Sequence, residues 1–464
     1  MEIGRRMEEF SVAGRYVVVV GAARSGVAAA LLLARRGARV TVTDLQPVVA
    51  GIDADRLRAA GVTVELGGHA ADTLAHASLV VLSPGVPASQ PALAAVRRAG
   101  VPIVGELELA SRWLRGRVVA ITGTKGKSTT TTLAGRMLEA GGVRTLVGGN
   151  IGVPLSAQVA DSTPDTIHVV EVSSFQLETV DAFRPWIAVL LNFSPDHLDR
   201  HATVEDYAAA KARVFERQET DDWAVINADD PQALALARAG RARRLLFADE
   251  ATIDEGMVVL PGAIAYRQAG RDEPLIPRSA VRLIGRHVLS DVAAAAAVAK
   301  LSGVSAEAMT RAVSSFAGLE HALESVAEID GVRFINDSKA TNVASARQAI
   351  ESFGRGLVVI LGGRYKGGDF RELRAPLAAR GASVVAIGET APHIRQALDA
   401  VAPVLDAASM PDAVRKAFER ANPGGVVLLA PACSSFDMFA DYAERGRVFK
   451  EAVARLGQEI SREQ

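Results

Sequence analysis

Residues 117–132 read RVVAITGTKGKSTTTT, and the rest of the chain is best read outward from them. An apolar run closes at Thr122, a glycine-rich loop follows, and Lys127, Ser128 and Thr129 open a helical pattern. A buried strand that feeds a helix through such a loop makes a phosphate site. Gly123 and Gly126 let backbone N–H groups converge on phosphate oxygens, Thr124 and Lys125 lie between them, and the helix N-terminus favours anions. Lys127 is placed to reach terminal phosphates, and a Ser128 or Thr129 hydroxyl suits Mg²⁺. The spacing is GxxGKS, with Ile121 where the pattern G-x-x-x-x-G-K-[ST] has its first glycine. The plainer alternative is an incidental strand–helix turn, which would not require lysine and hydroxyls in register.

Similar runs recur on both sides: RYVVVVG at 15–21, IHVVEVS at 167–173, AVLLNFS at 188–194, GLVVILGG at 356–363 and GGVVLLAP at 424–431. They are continuously apolar rather than alternating, which marks strands buried on both faces of parallel sheets. Helical patterns at 27–36 and 129–140 complete βαβ units. The fold class is α/β. With about 150 residues per domain, 464 residues suggest about three domains. Boundaries near Gly105 and Gly318 give 1–105 as a Rossmann-like domain, 106–317 as a P-loop ATPase-like domain and 318–464 as a second Rossmann-like domain.

Composition narrows the function classes. Lys+Arg 52 against Asp+Glu 53 leaves a net charge of -1, without the basic excess of a nucleic-acid or anionic-membrane binder. One cysteine excludes an intramolecular disulfide and a multi-cysteine metal cluster. The N-terminal MEIGRRMEEF is charged where a secretory leader is apolar, and the Ala-rich run at 292–299 is far shorter than a membrane span. These features point to a soluble cytoplasmic protein with no membrane insertion.

Further chemistry-bearing residues follow strand ends. GAARSG at 21–26 resembles G-x-G-x-x-G with Ala23 in the middle, and Asp44 ends the next apolar run where an acidic residue meets a ribose. A nucleotide-like ligand and a plain tight turn both fit that pattern. Glu171 sits within an apolar strand, where a carboxylate needs a cation or a metal. His197 lies in NFSPDHLDRH and Lys211 in a helical AAAKARVF; alone, they read as a loop histidine and a solvated lysine. In the last third, FINDSKATN at 334–342, LGGRYKGGDF at 361–370 and LAPACSSFDMF at 429–439 place polar groups after strands. Cys433 lacks a nearby histidine base and reads as a small buried thiol.

Together, GTKGKSTTT, GGNIGVP at 148–154, EVSSFQLE at 171–178, NFSPDHLDRH and AKARVF resemble the central domain of the Mur ligases. FINDSKATN, LGGRYKGGDF, SPGVP at 83–87 and PACSSFDMFADYAERG at 431–446 extend the likeness, in order, across nearly the whole chain. The resemblance implies an ATP-dependent amide ligase that adds D-glutamate to UDP-N-acetylmuramoyl-L-alanine through an acyl phosphate, in peptidoglycan precursor synthesis. It implies ATP bound by Gly123–Thr129 and Asp337, and the UDP-linked substrate bound by Arg24, Ser25, Asp44, Gly85 and Asn150. It implies two Mg²⁺ ions near Ser128, Glu171, His197 and a carbamylated Lys211, with Lys127 as the catalytic cation. Lys339, Thr341, Lys366, Ser435 and Tyr442 would hold or support the amino acid, in a monomeric enzyme. The chain departs from the family pattern at Val288 and Asp291, where the family has asparagines, at Ala322, where it has arginine, and at Lys125, where asparagine is common. A folylpolyglutamate synthase-like enzyme and a non-catalytic nucleotide-binding regulator are the competing readings. The dinucleotide-like first domain opposes the first, and the complete set of Glu171, His197, Lys211 and phosphate loop opposes the second.

Overall fold

The computed structural model describes residues 10–49, 52–197, 200–283, 285, 288–365 and 367–463. Lys366 therefore lies outside the described residues, as do Arg286 and His287. The chain forms two compact units, Met1–Val281 with Leu289–Ser315, and Arg282–Val288 with Phe316–Gln464.

The first unit holds two sheets. One runs Thr63–Leu66, Arg39–Asp44, Tyr16–Val20, Leu79–Leu82, Ile103–Gly105, with all strands parallel. Val17 to Val20 are wholly buried, as a strand covered on both faces requires. Helix Arg24–Arg35 packs back on this sheet so closely that a Cβ on Gly26 would stand 1.8 Å from the Gly21 carbonyl oxygen. The last glycine of GAARSG is thus fixed by packing.

The second sheet has nine strands among the described residues, in the order Arg271–Pro277, Ala263–Gln268, Gly256–Val259, Arg243–Ala248, Trp223–Asn227, Ile187–Leu190, Arg117–Thr122, Ile167–Glu171, Thr145–Gly149. Its centre is parallel, and the phosphate-loop strand Arg117–Thr122 lies between Ile187–Leu190 and Ile167–Glu171. Those three strands deliver Gly123, Glu171 and Asn192 to one edge. Helix Val288–Leu301 covers the loop, and its alanine run at 292–299 is completely buried as core. The two sheets share one apolar core, and helix Glu106–Ser111 joins them. The buried Glu108 carboxylate clasps the backbone N–H groups of Asp181, Ala182 and Phe183 at 2.9 to 3.1 Å.

The second unit carries a sheet of order Glu324–Ile329, Val332–Asn336, Val426–Leu429, Leu357–Gly362, Ser383–Ile387, Val404–Ala407. It is parallel except at its first edge strand. Helices on both faces complete the expected α/β layering. The antiparallel pieces, Gly256–Pro277 and Glu324–Ile329, are absent from the sequence reading. Ala263–Gln268, Arg271–Pro277 and Glu324–Ile329 are short, partly exposed strands at or next to a sheet edge, and their polar residues break the continuous apolar signal.

His168 is buried within the strand Ile167–Glu171, its ring held between Ser162 Oγ at 2.8 Å and Gln158 Oε1 at 2.9 Å. Burial pushes its pKa down from 6.5 to about 4. The unfolded chain therefore binds the proton more readily, and stability is full above about pH 6.5 and declines as pH falls toward 4. Chemical denaturation across that window is expected to show a loss on the order of 3 kcal/mol, and His168→Gln to flatten the profile.

Candidate active site

The phosphate loop is built around Gly126. It caps helix Lys127–Ala140 at φ +81°, a left-handed conformation that glycine adopts without strain, and no side chain caps that helix end. Asn192 shapes the loop from outside: its Oδ1 accepts from Thr124 N at 3.1 Å and Lys125 N at 2.9 Å, and its Nδ2 donates to Lys125 O at 3.1 Å. Lys127 Nζ folds onto the loop, donating to Gly123 O at 2.9 Å and Thr124 O at 2.8 Å.

Lys211, readable as a solvated helix residue, is 1% exposed. Its Nζ donates to the same Gly123 carbonyl at 2.7 Å and lies 4.7 Å over the Tyr207 ring. Burial, then repulsion from Lys127, holds its pKa well below the ordinary lysine range. The Tyr207 hydroxyl in turn shares a 3.1 Å hydrogen bond with Thr124 Oγ1, which ties Lys211's helix to the loop.

Glu171 ends its strand buried beside the loop. Ser128 Oγ donates to its Oε2 at 2.6 Å, and Asn150 Nδ2 donates to its Oε1 at 2.7 Å. Ser128, Asn150, Glu171, Lys127 and Lys211 thus gather at one strand edge. The His197 ring is 45% exposed, 3.9 Å from Asp196, edge-on to Phe175 and 6.2 Å from the Tyr207 ring. Among the described residues no group of three or more His, Cys, Asp or Glu is arranged to hold a metal ion. The oxygens of Glu171 and Ser128 are nonetheless the hard donors that Mg²⁺ prefers, whereas the Lys211 amine is not.

At the first sheet's edge, Arg24 opens its helix and donates to Gly152 O at 3.1 Å, close in sequence to Asn150. Ser25 follows on that helix. The Asp44 carboxylate is engaged by Ala22 N at 2.7 Å and Gln46 N at 2.9 Å, so it braces the GAARSG turn. Gly85 lies in the loop after Leu79–Leu82, where its carbonyl accepts from Arg200.

In the second unit, Asp337 Oδ1 accepts from Leu323 N at 3.2 Å, and Lys339 N donates to His321 O at 3.0 Å. Beneath them Arg445 is almost wholly buried. It donates to Ser338 Oγ and O and to Cys433 O at 2.8 to 3.1 Å, joining the loop of Asp337–Thr341 to that of Cys433–Ser435. Burial pushes this guanidinium down to about 10. Tyr442, partly exposed, opens the helix Tyr442–Glu463, and its carbonyl accepts from Ser338 Oγ. Cys433 is fully buried. Asn192, Tyr207, Arg200 and Arg445 escaped the sequence reading as individual residues. Asn192 and Arg200 stand in the quoted NFSPDHLDRH, and an asparagine directly after an apolar strand is the one available cue.

Family comparison now joins this geometry. Residues 15–105 match the Mur ligase MurD-like N-terminal domain, 121–299 the Mur ligase middle domain and 323–433 the Mur ligase glutamate ligase domain. The chain belongs to the Mur ligase family. It is 49% identical over 443 residues to UDP-N-acetylmuramoylalanine–D-glutamate ligase of Acidobacterium capsulatum, which covers 95% of this chain and 96% of that protein. Its fold is shared with UDP-N-acetylmuramate-alanine ligase MurC of Thermotoga maritima, with TM-score 0.61 and 18% identity over 95% of this chain and 99% of that one. It is likewise shared with MurF ligase of Thermotoga maritima in complex with ADP, with TM-score 0.59 and 18% identity over 97% of both chains.

One departure from the family pattern lies against the loop. The Asp291 carboxyl is 4% exposed, and a Cβ on Gly126 would stand 2.1 Å from its Oδ1. Burial pushes its pKa up to about 7, partly offset by the neighbouring Thr130 hydroxyl. A raised carboxyl pKa favours the fold most below about pH 4, and this contribution is lost as pH rises through 7. Asp291→Asn is therefore expected to gain stability over the parent between pH 4 and 7, by at most about 4 kcal/mol, and then level off. Melting curves of both proteins across that range are the check.

Proposed function

We propose that this chain joins D-glutamate to UDP-N-acetylmuramoyl-L-alanine with hydrolysis of ATP to ADP and phosphate, in cytoplasmic peptidoglycan precursor synthesis. The observation that carries the reading is the gathering of a phosphate loop, a buried carboxylate held by Ser128 and Asn150, and a buried, deprotonation-prone lysine at one sheet edge. The 49% identical relative that bears this activity in its name supports the substrate assignment.

In this reading residues 1–105 receive the UDP-linked substrate through Arg24, Ser25, Asp44 and Gly85, 106–317 bind ATP, and 318–464 present the amino acid. The enzyme acts as a monomer. Loop N–H groups of Gly123–Thr129 and the Lys127 ammonium hold the β- and γ-phosphates, and the family resemblance assigns Asp337 to the nucleotide. The substrate carboxylate attacks the γ-phosphorus, the bond to the bridging oxygen breaks and ADP leaves. Lys127 faces the charge that spreads over the transferring group. The glutamate amine then attacks the acyl carbon, loses its proton, and phosphate departs as the amide forms. Lys339 and Lys366 meet the two glutamate carboxylates, with Thr341, Ser435 and Tyr442 shaping that subsite. Asn150 is assigned to the UDP-linked substrate, and His197 to catalysis and the metal.

Ser128 and Glu171 suit Mg²⁺ as oxygen donors, and Mg²⁺ when bound neutralises phosphate charge. An ammonium at Lys211 cannot ligate it. The low pKa of Lys211 leaves a free amine that adds to CO₂, forming an N–C bond and releasing one proton, and the resulting carbamate supplies two oxygens.

Phosphate release is expected to require ATP, UDP-N-acetylmuramoyl-L-alanine and D-glutamate together. Release with L-lysine or diaminopimelate in place of D-glutamate would overturn the substrate assignment. Lys127→Met should lower kcat on the order of 10²–10³-fold. Lys211→Ala should likewise abolish most turnover, whereas retention of full activity would refute the carbamate role.

A further inference from the structure

The loop 83–87 belongs to the first sheet, and the segment carrying His197 belongs to the second. One guanidinium reaches both. Arg200 donates to Gly85 O at 3.4 Å, to Val86 O at 3.1 Å and to Glu178 Oε2 at 3.1 Å. Its side chain is 13% exposed, so these bonds are largely shielded from water. The same group covers the face of Phe175, 4.8 Å from the ring centroid. Phe175 in turn meets the His197 ring edge-on at 4.9 Å. His197 sits at φ +55°, which a residue with a Cβ holds only when its surroundings support it. Glu178 is itself braced, since it faces His201 Nδ1 at 3.4 Å while His201 Nε2 meets Ser174 Oγ at 3.0 Å.

We propose that Arg200 is a positioning residue that couples occupancy of the loop 83–87 by the UDP end of the substrate to the placement of His197. The proposal rests on the ligase reading above. A ligand that hydrogen-bonds along 83–87 shifts the carbonyls that Arg200 holds. The guanidinium is rigid and planar, so its shift moves the ring stacked beneath it, and that ring supports the strained His197. Two carbonyls, a carboxylate and an aromatic face are met together by an arginine fork, and a lysine ammonium cannot meet all four. Binding at the UDP end and alignment at the acyl end then form one linked equilibrium, with a reciprocal effect on nucleotide binding.

The test is titration calorimetry of the full chain with Mg²⁺ and a non-hydrolysable ATP analogue, with and without saturating UDP-N-acetylmuramoyl-L-alanine. The parent should bind the analogue about 5-fold or more tightly when the substrate is present. In Arg200→Met that ratio should fall to within twofold of unity, with affinity for the analogue alone kept within twofold. Its kcat should fall about 10-fold or more while KM for D-glutamate stays unchanged. Arg200→Lys should remain uncoupled. Phe175→Leu leaves the Arg200 contacts to Gly85 and Val86 in place yet should also lose the coupling, which decides the matter if Arg200→Met fails to fold. Full coupling in Arg200→Lys or Phe175→Leu, or none in the parent, would overturn the proposal. Failure of the parent to bind UDP-N-acetylmuramoyl-L-alanine at all would instead refute the ligase reading itself.

Discussion

Two lysine side chains converge on one carbonyl, that of Gly123, and the first unit is organised around this concentration of positive charge. Lys127 reaches it from the helix that the loop starts, and Lys211 from a helix more than eighty residues later. Neighbouring cations repel, and burial deprives them of water, so one must give up its proton or an anion must arrive. Lys127, nearer the open loop, is the cation placed for phosphate. Lys211, sealed beneath Tyr207, is the one driven toward the neutral amine. The same lysine type therefore carries two chemistries, separated by burial and by the repulsion of its neighbour.

The negative groups divide in the same way. Both oxygens of Glu171 are engaged by neutral donors on different elements, so the carboxylate is held in place, buried beside the cations. Asp291 also lies against the loop at Gly126, and burial raises its pKa to about 7. Below that pH the carboxyl beside Gly126 is mostly neutral and does not oppose an incoming phosphate as an ionised one would. In the second unit the sign reverses. Arg445 lies buried against carbonyls and hydroxyls, joining the two loops that carry Lys339 and Ser435. The positive charge that near-neutral overall balance conceals is stored in such places.

The parallel strands were legible because each is an unbroken apolar run, and the phosphate loop because glycine, lysine and hydroxyl spacing has few other uses. The outer strands Ala263–Gln268 and Arg271–Pro277 were not, since their exposed faces admit polar residues and dilute the pattern. Lys211 shows why the site was only half readable. An alanine-rich helical stretch says nothing of which face meets Tyr207 and Gly123, and only the tertiary fold buries that amine. Arg200 and Asn192 act through carbonyls and amides more than sixty residues away, and local spacing holds no trace of such partners. Asp44 was legible as an acidic residue at a strand end, but its hydrogen bonds to the turn itself were not.

Cys433 has a consequence of another kind. It is the chain's single thiol, fully buried, and burial raises its pKa, so the reactive thiolate is scarce at neutral pH. Maleimide and iodoacetamide reagents should pass it by. A pair of cysteines introduced on the surfaces of the two units would then be labelled selectively in an otherwise native background. Donor and acceptor dyes at those positions would report the distance between them, one molecule at a time.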